Sequence, residues 1–212
     1  MAHILITSGP TRQYLDPVRY LTNASSGLMG RCLAIAALKL GHEVTIVSGP
    51  VEVSYPESAD VIDVVSTEEM LEAAKHAFRK SDGAIGVAAP CDYRPVRVED
   101  NKIAKTGDPL VLHLIETPDV VATLGMQKRN DQWVVGFALE TEDHRFRALR
   151  KLEEKSCDLI VLNSPAAMHS AETEVEILDP QGNVVDSLSG PKSQVSNGIL
   201  EAIQNRCIDR NI

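Results

Sequence analysis

The sequence predicts an α/β fold: a mainly parallel sheet with helices on both faces and an antiparallel hairpin added near the C-terminus. Three observations predict it. Short β-rich runs alternate with helical patterns along the whole chain, the order that builds right-handed βαβ units. Several runs (ILIT, VTIVS, AIGVAA, WVVGFA and LIVLN) are apolar almost without interruption, as strands buried on both faces are. Pro180-Gln181-Gly182-Asn183 separates two strand-like segments as a hairpin turn does. The 212 residues suit one Rossmann-like domain spanning 1–212.

Taken in order, the first strand is expected at His3–Thr7. Ser26–Leu40 is an Ala/Leu-rich helix with serine caps before it and Gly41 after it. Glu43–Ser48 and Val61–Val65 are strands. Ser66-Thr67-Glu68-Glu69 is a capping box that opens a helix to about Lys80. Ala84–Ala88 and Leu110–Ile115 read as strands, and Pro118 suits the first position of a helix toward Lys128. Trp133–Ala138 and Asp158–Leu162 are strands around a polar helix, Thr141–Ser156. Thr173–Asp179 and Val184–Leu188 form the hairpin, and Gly190–Arg206 is the last helix. Two connections, Ser8–Ser25 and Ala89–Pro109, exceed the usual ~2–6 residues of an α/β loop. Such loops in compact domains carry function.

Composition narrows the function. Lys and Arg number 21 against 30 Asp and Glu, a net charge of −9. That balance argues against bulk binding to nucleic acid or anionic membrane. An anionic ligand would need cations concentrated locally. With 43% hydrophobic and 24% charged residues, the chain has the apolar mass that disordered chains lack. No apolar run approaches the ~18 residues of a membrane span. Met1-Ala2-His3 enters a strand-like run without a basic and then apolar leader. Cys32, Cys91, Cys157 and Cys207 are widely spaced, with no CxxC pair, so a reducing cytoplasm is expected.

Ligands of such sheets sit at the carboxyl ends of the strands, so the residues just past each strand matter most. After the first strand, Ser25, Ser26, Gly27 and Gly30 open a helix. Its free N–H groups could cradle an anion, or its glycines could serve close packing. Neither standard phosphate-loop pattern is met. Asn23 is a turn residue or a ligand-facing amide. After the fourth strand, Asp92 is placed to hold Mg²⁺ or a ribose hydroxyl. Lys102 and Lys105 sit in a segment of little pattern, either solvated or closing over a phosphate. Arg147, Lys151 and Lys155 lie four apart on one helix face. Such a stripe costs ~0.2–0.5 kcal/mol per like-charged pair and invites an anion, although Lys155 also suits the helix C-terminal dipole. Phe137 is core or the wall of a base pocket. Scattered histidines without HxH or HxxxH argue against zinc, and no G-x-S-x-G elbow is present.

The segments TSGPTRQYLDPVRYLTNASSGLMG, VSGP, AAPCDYRP, NKIAK, TPDVV, VVGFALET and KLEEKSCDLIVLN, in that order, closely resemble the phosphopantothenate–cysteine ligases of bacterial coenzyme A biosynthesis. The resemblance runs from the first strand to the last helix. It implies a two-step reaction. CTP activates the carboxylate of 4′-phosphopantothenate as an acyl-cytidylate and pyrophosphate leaves. The cysteine amine then displaces CMP. Mg²⁺ and lysines would screen the anions that must meet. By resemblance Asn23 holds the acyl group and serves conversion of the acyl-cytidylate. Lys102, on a flap, stabilises the activation transition state. The resemblance assigns nucleotide contacts to Gly86, Val87, Ala88, Asp92, Lys102, Pro118, Asp119, Val120, Val121, Phe137, Lys151 and Lys155. It implies a homodimer whose sites draw on both subunits. In the bacterial family a flavin-dependent decarboxylase domain is usually fused upstream. The sequence starts at the ligase's first strand, so the expectation is either a stand-alone enzyme served by a separate decarboxylase or an excised domain.

Three positions depart from the family pattern: Leu28 and Ala104 where lysine is frequent, and Ser164 where aspartate is common. Fewer cations near phosphate would weaken triphosphate affinity unless another side chain compensates. The residues leave two other readings open. An NAD(P)-binding oxidoreductase is one, against which the missing G-x-G-x-x-G and Tyr-x-x-x-Lys count. A non-catalytic nucleotide-binding relative is the other.

Overall fold

The computed structural model describes residues 1–139, 144–163 and 172–209. Six parallel strands form the body of one sheet: β1 (His3–Ser8), β4 (Glu43–Ser48), β5 (Asp60–Asp63), β6 (Gly83–Gly86), β9 (Trp133–Leu139) and β10 (Leu159–Asn163). Two antiparallel strands, β11 (Glu172–Leu178) and β12 (Val184–Pro191), extend its edge beyond β10. The order is β12-β11-β10-β9-β6-β1-β4-β5. Counted along the parallel strands alone, this is the 3-2-1-4-5-6 order of doubly wound folds. The mainly parallel sheet and its C-terminal hairpin match the fold read from the sequence.

Alternation along the strands makes two cores. Ile4 and Ile6 face α1 (Leu28–Lys39) and α5 (Lys192–Ile203), packing with Leu33, Ile46, Ile199 and Ile203. Leu5 faces the other side with Met70, Phe78 and Leu124, under α2 (Thr67–Phe78), α3 (Val120–Gln127) and α4 (His144–Glu154). Ile4, Leu5 and Ile6 are wholly buried; full burial of such a side chain contributes roughly 1.5–3 kcal/mol. Among the described residues no helix is long and apolar enough to cross a membrane.

The two long connections carry structure of their own. The first folds into a ribbon of β2 (Arg12–Tyr14) with β3 (Tyr20–Thr22). The second holds β7 (Tyr93–Pro95), which pairs antiparallel with β8 (Leu114–Glu116).

Several boundaries differ from the sequence expectation. Leu110–Ile115 does not enter the main sheet. Only Leu114–Glu116 is a strand, its pairing taken by β7 rather than by the main sheet, and Leu110 and Val111 are exposed. The strand expected at Ala84–Ala88 ends at Gly86. Gly27 caps α1 with φ 75° and no side-chain bond. A left-handed residue turns the chain there, and Ser26, one position before the cap, accepts only a long bond from Leu28 N, at 3.4 Å. Pro118 precedes the helix, because the Asp119 carboxylate caps α3 by accepting from Ala122 N. The last helix starts later than Gly190, because the hairpin ladder continues through Gly190 and Pro191. It ends in a π-helical turn, Gln204–Ile208. Half of the α2 capping box forms as expected: Ser66 Oγ accepts from Glu69 N at 3.1 Å, while the Glu69 carboxylate reaches one residue further back and accepts from Val65 N at 2.8 Å. The expected start of α4 at Thr141 and the departure at Ser164 lie outside the described residues.

Candidate active site

The strand order reverses between β1 and β6, where the connections leave toward opposite faces and open a crevice at the strands' carboxyl ends. A cleft of about 310 Å³ lies there. Thr7 ends its β1 wall, Gly86 and Ala88 lie at the end of β6, Phe137 comes from β9 and Val121 from α3. Gly86 is required by close approach: a Cβ there would stand 2.4 Å from Val121 Cγ2.

The turn after β6 is fixed by buried hydroxyls. Cys91 N donates to Thr11 Oγ1 at 2.7 Å. Cys91 O accepts from Thr67 Oγ1 at 3.1 Å and from Thr117 Oγ1 at 2.7 Å. Thr117 N donates to Asp92 O at 2.9 Å. These bonds tie the first ribbon, α2 and the segment before α3 to one turn, and they hold the exposed Asp92 on the cleft wall. Neighbouring Pro90 O accepts from Asn23 Nδ2 at 2.8 Å. Asn23 thus touches the cleft's rim.

On the opposite wall, Lys155 Nζ lies 2.9 Å from Asp119 Oδ2. Asp119 Oδ1 accepts from Ala122 N at 2.9 Å. The same carboxylate caps α3 and holds the cation in the cleft lining. Asp92 and Glu116 add negative charge to the lining. Among the described residues no group of three His, Cys, Asp or Glu is placed to hold a metal by itself. One or two carboxylates beside a phosphate-bearing ligand fit Mg²⁺, which keeps waters and borrows phosphate oxygens. Behind β9, burial pushes the Cys157 thiol up to about 12, against the lowering influence of Lys155 and Lys128.

The structure brings together some of the sequence-predicted residues and not others. Gly86, Ala88, Asp92, Pro118, Asp119, Val120, Val121, Phe137 and Lys155 all line the cleft. Lys151 does not line it, so the stripe read from four-residue spacing contributes only its last member. Lys155 lies just past the end of α4. Ser25, Ser26, Gly27 and Gly30 stand at α1, outside the cleft lining. Gly30 serves packing: a Cβ there would lie 2.1 Å from Ser8 Oγ and 3.5 Å from Val87 Cγ1. Val87 packs against the core on the α1 side and does not line the cleft. Lys102 lines a second hollow of about 770 Å³, with Leu15, Arg97, Ile103 and Val111.

The sequence reading missed Thr7, Pro90, Tyr93, Glu116 and Thr117, all of which line the cleft. Thr7 could have been found as the last residue of its predicted strand. Thr117 could have been found from its place two residues before a helix-capping aspartate.

A family model described as the DNA/pantothenate metabolism flavoprotein C-terminal domain matches residues 1–207. The coenzyme A biosynthesis bifunctional protein CoaBC of Vibrio vulnificus strain YJ016 is 41% identical over 207 residues, covering 95% of this chain and 51% of that protein. The chain thus spans about half the length of that relative. The crystal structure of the C-terminal domain of coenzyme A biosynthesis bifunctional protein CoaBC superposes with TM-score 0.81 at 36% identity, covering 98% of this chain and 96% of that one. The DNA/pantothenate metabolism flavoprotein from Streptococcus pneumoniae shares the fold, with TM-score 0.84 at 22% identity over 97% and 99% of the two chains. The motif resemblance, the switch-point cleft and these matches agree: the chain belongs to the DNA/pantothenate metabolism flavoprotein C-terminal domain family.

Proposed function

We propose that the chain is a ligase of coenzyme A biosynthesis that joins 4′-phosphopantothenate to L-cysteine through an acyl-cytidylate, releasing pyrophosphate and then CMP. One observation carries the reading. Nine residues that the family resemblance assigns to the nucleotide meet around one cleft at the sheet's switch point.

In this reading Phe137 and Val121 wall the base, while Asp92 and Asp119 face hydroxyls or metal. Lys155 draws phosphate oxygens. Mg²⁺ bound with the triphosphate would be held by Asp92, with Glu116 nearby, and would neutralise the phosphates during displacement. Lys102 answers charge developing at the reacting phosphorus. Asn23, on the rim through Pro90, holds the acyl group for attack by the cysteine amine. The reading includes a cytoplasmic homodimer whose sites draw on both copies, and a flavin-dependent decarboxylase that takes the product.

A pyrophosphate-release assay with each nucleoside triphosphate, with and without cysteine, tests it. Release is expected with CTP and phosphopantothenate alone, and CMP and the amide product once cysteine is added. The strand order also suits a dinucleotide; tight NADPH binding without any CTP-dependent release would favour an oxidoreductase instead.

A further inference from the structure

We propose that Asp16 is a positioning residue that locks the backbone beside Lys102 to the hairpin that ends at Asn23. The inference rests on the roles proposed above for Lys102 and Asn23. Its geometry does not.

Asp16 lies in the turn between β2 and β3, and its side chain is wholly buried. Oδ1 accepts from Val18 N and Arg19 N, both at 2.8 Å. Those two bonds are all that an aspartate-led turn requires. The second oxygen does something else. Oδ2 accepts from Ile103 N at 3.1 Å, across 87 positions of sequence. The Arg19 guanidinium sits 2.9 Å from the same oxygen. Arg19 Nη2 also donates to Ile103 O, so both backbone groups of Ile103 are held by one ion pair. Four residues earlier, Glu99 N donates to Leu15 O at 2.9 Å. Residues 100–102 are thus bracketed between two anchored positions, and Lys102 is the last residue before the second anchor. Beyond it, residues 104–112 are exposed.

The same carboxylate therefore fixes two proposed reacting groups. Through Oδ1 it sets the turn that Leu15 N closes on Arg19 O at 2.8 Å, and β3 leads from there to Asn23. Through Oδ2 it sets the root of the Lys102 side chain. A buried carboxylate given four donors is satisfied. Removing it would free the Lys102 backbone to shift, and shifts of about 1 Å in a positioned group can cost on the order of 100-fold in rate.

Asp16→Asn tests this. The amide can keep the turn bonds through its oxygen, but its NH₂ then meets Ile103 N–H and the Arg19 guanidinium, donor against donor. We expect kcat for pyrophosphate release to fall on the order of 10–100-fold, with KM for CTP within about threefold of the parent. The Ile103 amide should exchange with solvent at least about tenfold faster by NMR. In a Lys102→Gln background the second change should add little, because residues that act through one another are not additive. A full additive loss, or unchanged kcat with a deprotected Ile103 amide, would overturn the proposal. Should Asp16→Asn fail to fold, exchange in the unsubstituted protein decides: Ile103 protected and Lys105 unprotected supports the latch, and equal rates sink it. If the unsubstituted protein releases no pyrophosphate, the ligase reading fails, and exchange at Ile103 still judges the latch.

Discussion

Asp119 and Lys155 meet at 2.9 Å in the lining of the cleft, and the same aspartate caps α3 through its other oxygen. One carboxylate thereby serves both a structural end and a cation. Lys155 is about a quarter exposed and Asp119 nearly half, so the pair itself contributes only ~0–1 kcal/mol to stability. Its value lies in where it holds the ammonium.

Lys155→Met should therefore leave the fold almost intact and weaken the nucleotide. We expect an unfolding free energy within about 1 kcal/mol of the parent and a CTP dissociation constant raised on the order of 5–10-fold. Asp119→Asn keeps a good cap and should scarcely move the thermal midpoint, whereas Asp119→Ala should cost ~1 kcal/mol. Calorimetric titration with CTP and thermal melts read both. An unchanged CTP affinity in Lys155→Met would remove Lys155 from the nucleotide site.

Lys102 and Asn23 should fail at different steps. Lys102→Gln is expected to slow pyrophosphate release by orders of magnitude, to a residual rate, while CTP still binds. Asn23→Asp is expected to permit release and let the activated acyl-cytidylate accumulate, trapped in the absence of amide product. The structural reason concerns Pro90: its carbonyl accepts from Asn23 Nδ2 at 2.8 Å, and an aspartate there sets oxygen against oxygen. Rapid quench with labelled phosphopantothenate separates the two outcomes. Normal product yield from Asn23→Asp would end its assignment.

Gly86 is the position where a single methyl should close the cleft. A Cβ would lie 2.4 Å from Val121 Cγ2, too near for either wall to absorb, so Val121 and the start of α3 must move outward. Gly86→Ala should cost ~1–3 kcal/mol by overpacking and lose CTP binding more severely than stability. A variant that binds CTP normally would show that the β6–α3 approach does not shape the nucleotide site.

The sheet was legible because burial on two faces writes itself as unbroken apolar runs. Ile4, Leu5 and Ile6 alternate between two cores, and neither core could spare them. The same signal misled at Leu110–Ile115. Hydropathy reports that a run is apolar, not which element of the chain covers it. The cleft was legible where residues follow strand ends, as Gly86 and Asp92 do. It was partly illegible where helix geometry intervenes: Lys151 and Lys155 share a periodicity, but α4 ends at Glu154 and only Lys155 reaches the lining. At Gly30 spacing could not show the close approach of Ser8, whose Oγ would lie 2.1 Å from a Cβ there. Asp16 carried a turn signal, aspartate before proline, but its bond to Ile103 N spans 87 positions and no local pattern encodes it.

The Asp16 carboxyl gives the last test, through pH. Burial raises its affinity for a proton, yet the backbone N–H groups of Val18, Ile103 and Arg19 and the Arg19 charge together hold it below the usual carboxylate range. A carboxyl depressed in the folded state contributes stability above its unfolded value, near 3.9. That contribution is lost as pH falls through the folded value. At pH 7 the contribution is complete, so Asp16→Asn should be destabilised there. Toward pH 3 the parent protein loses the same contribution by protonation, and the gap between the two should narrow. Glu176, Asp131 and Asp179 are also held low, but they titrate alike in both proteins and cancel in the difference. Urea unfolding of the pair at pH 7, 5 and 3 measures it; a gap that stays constant or widens on acidification would show that Asp16 is not bound as a carboxylate.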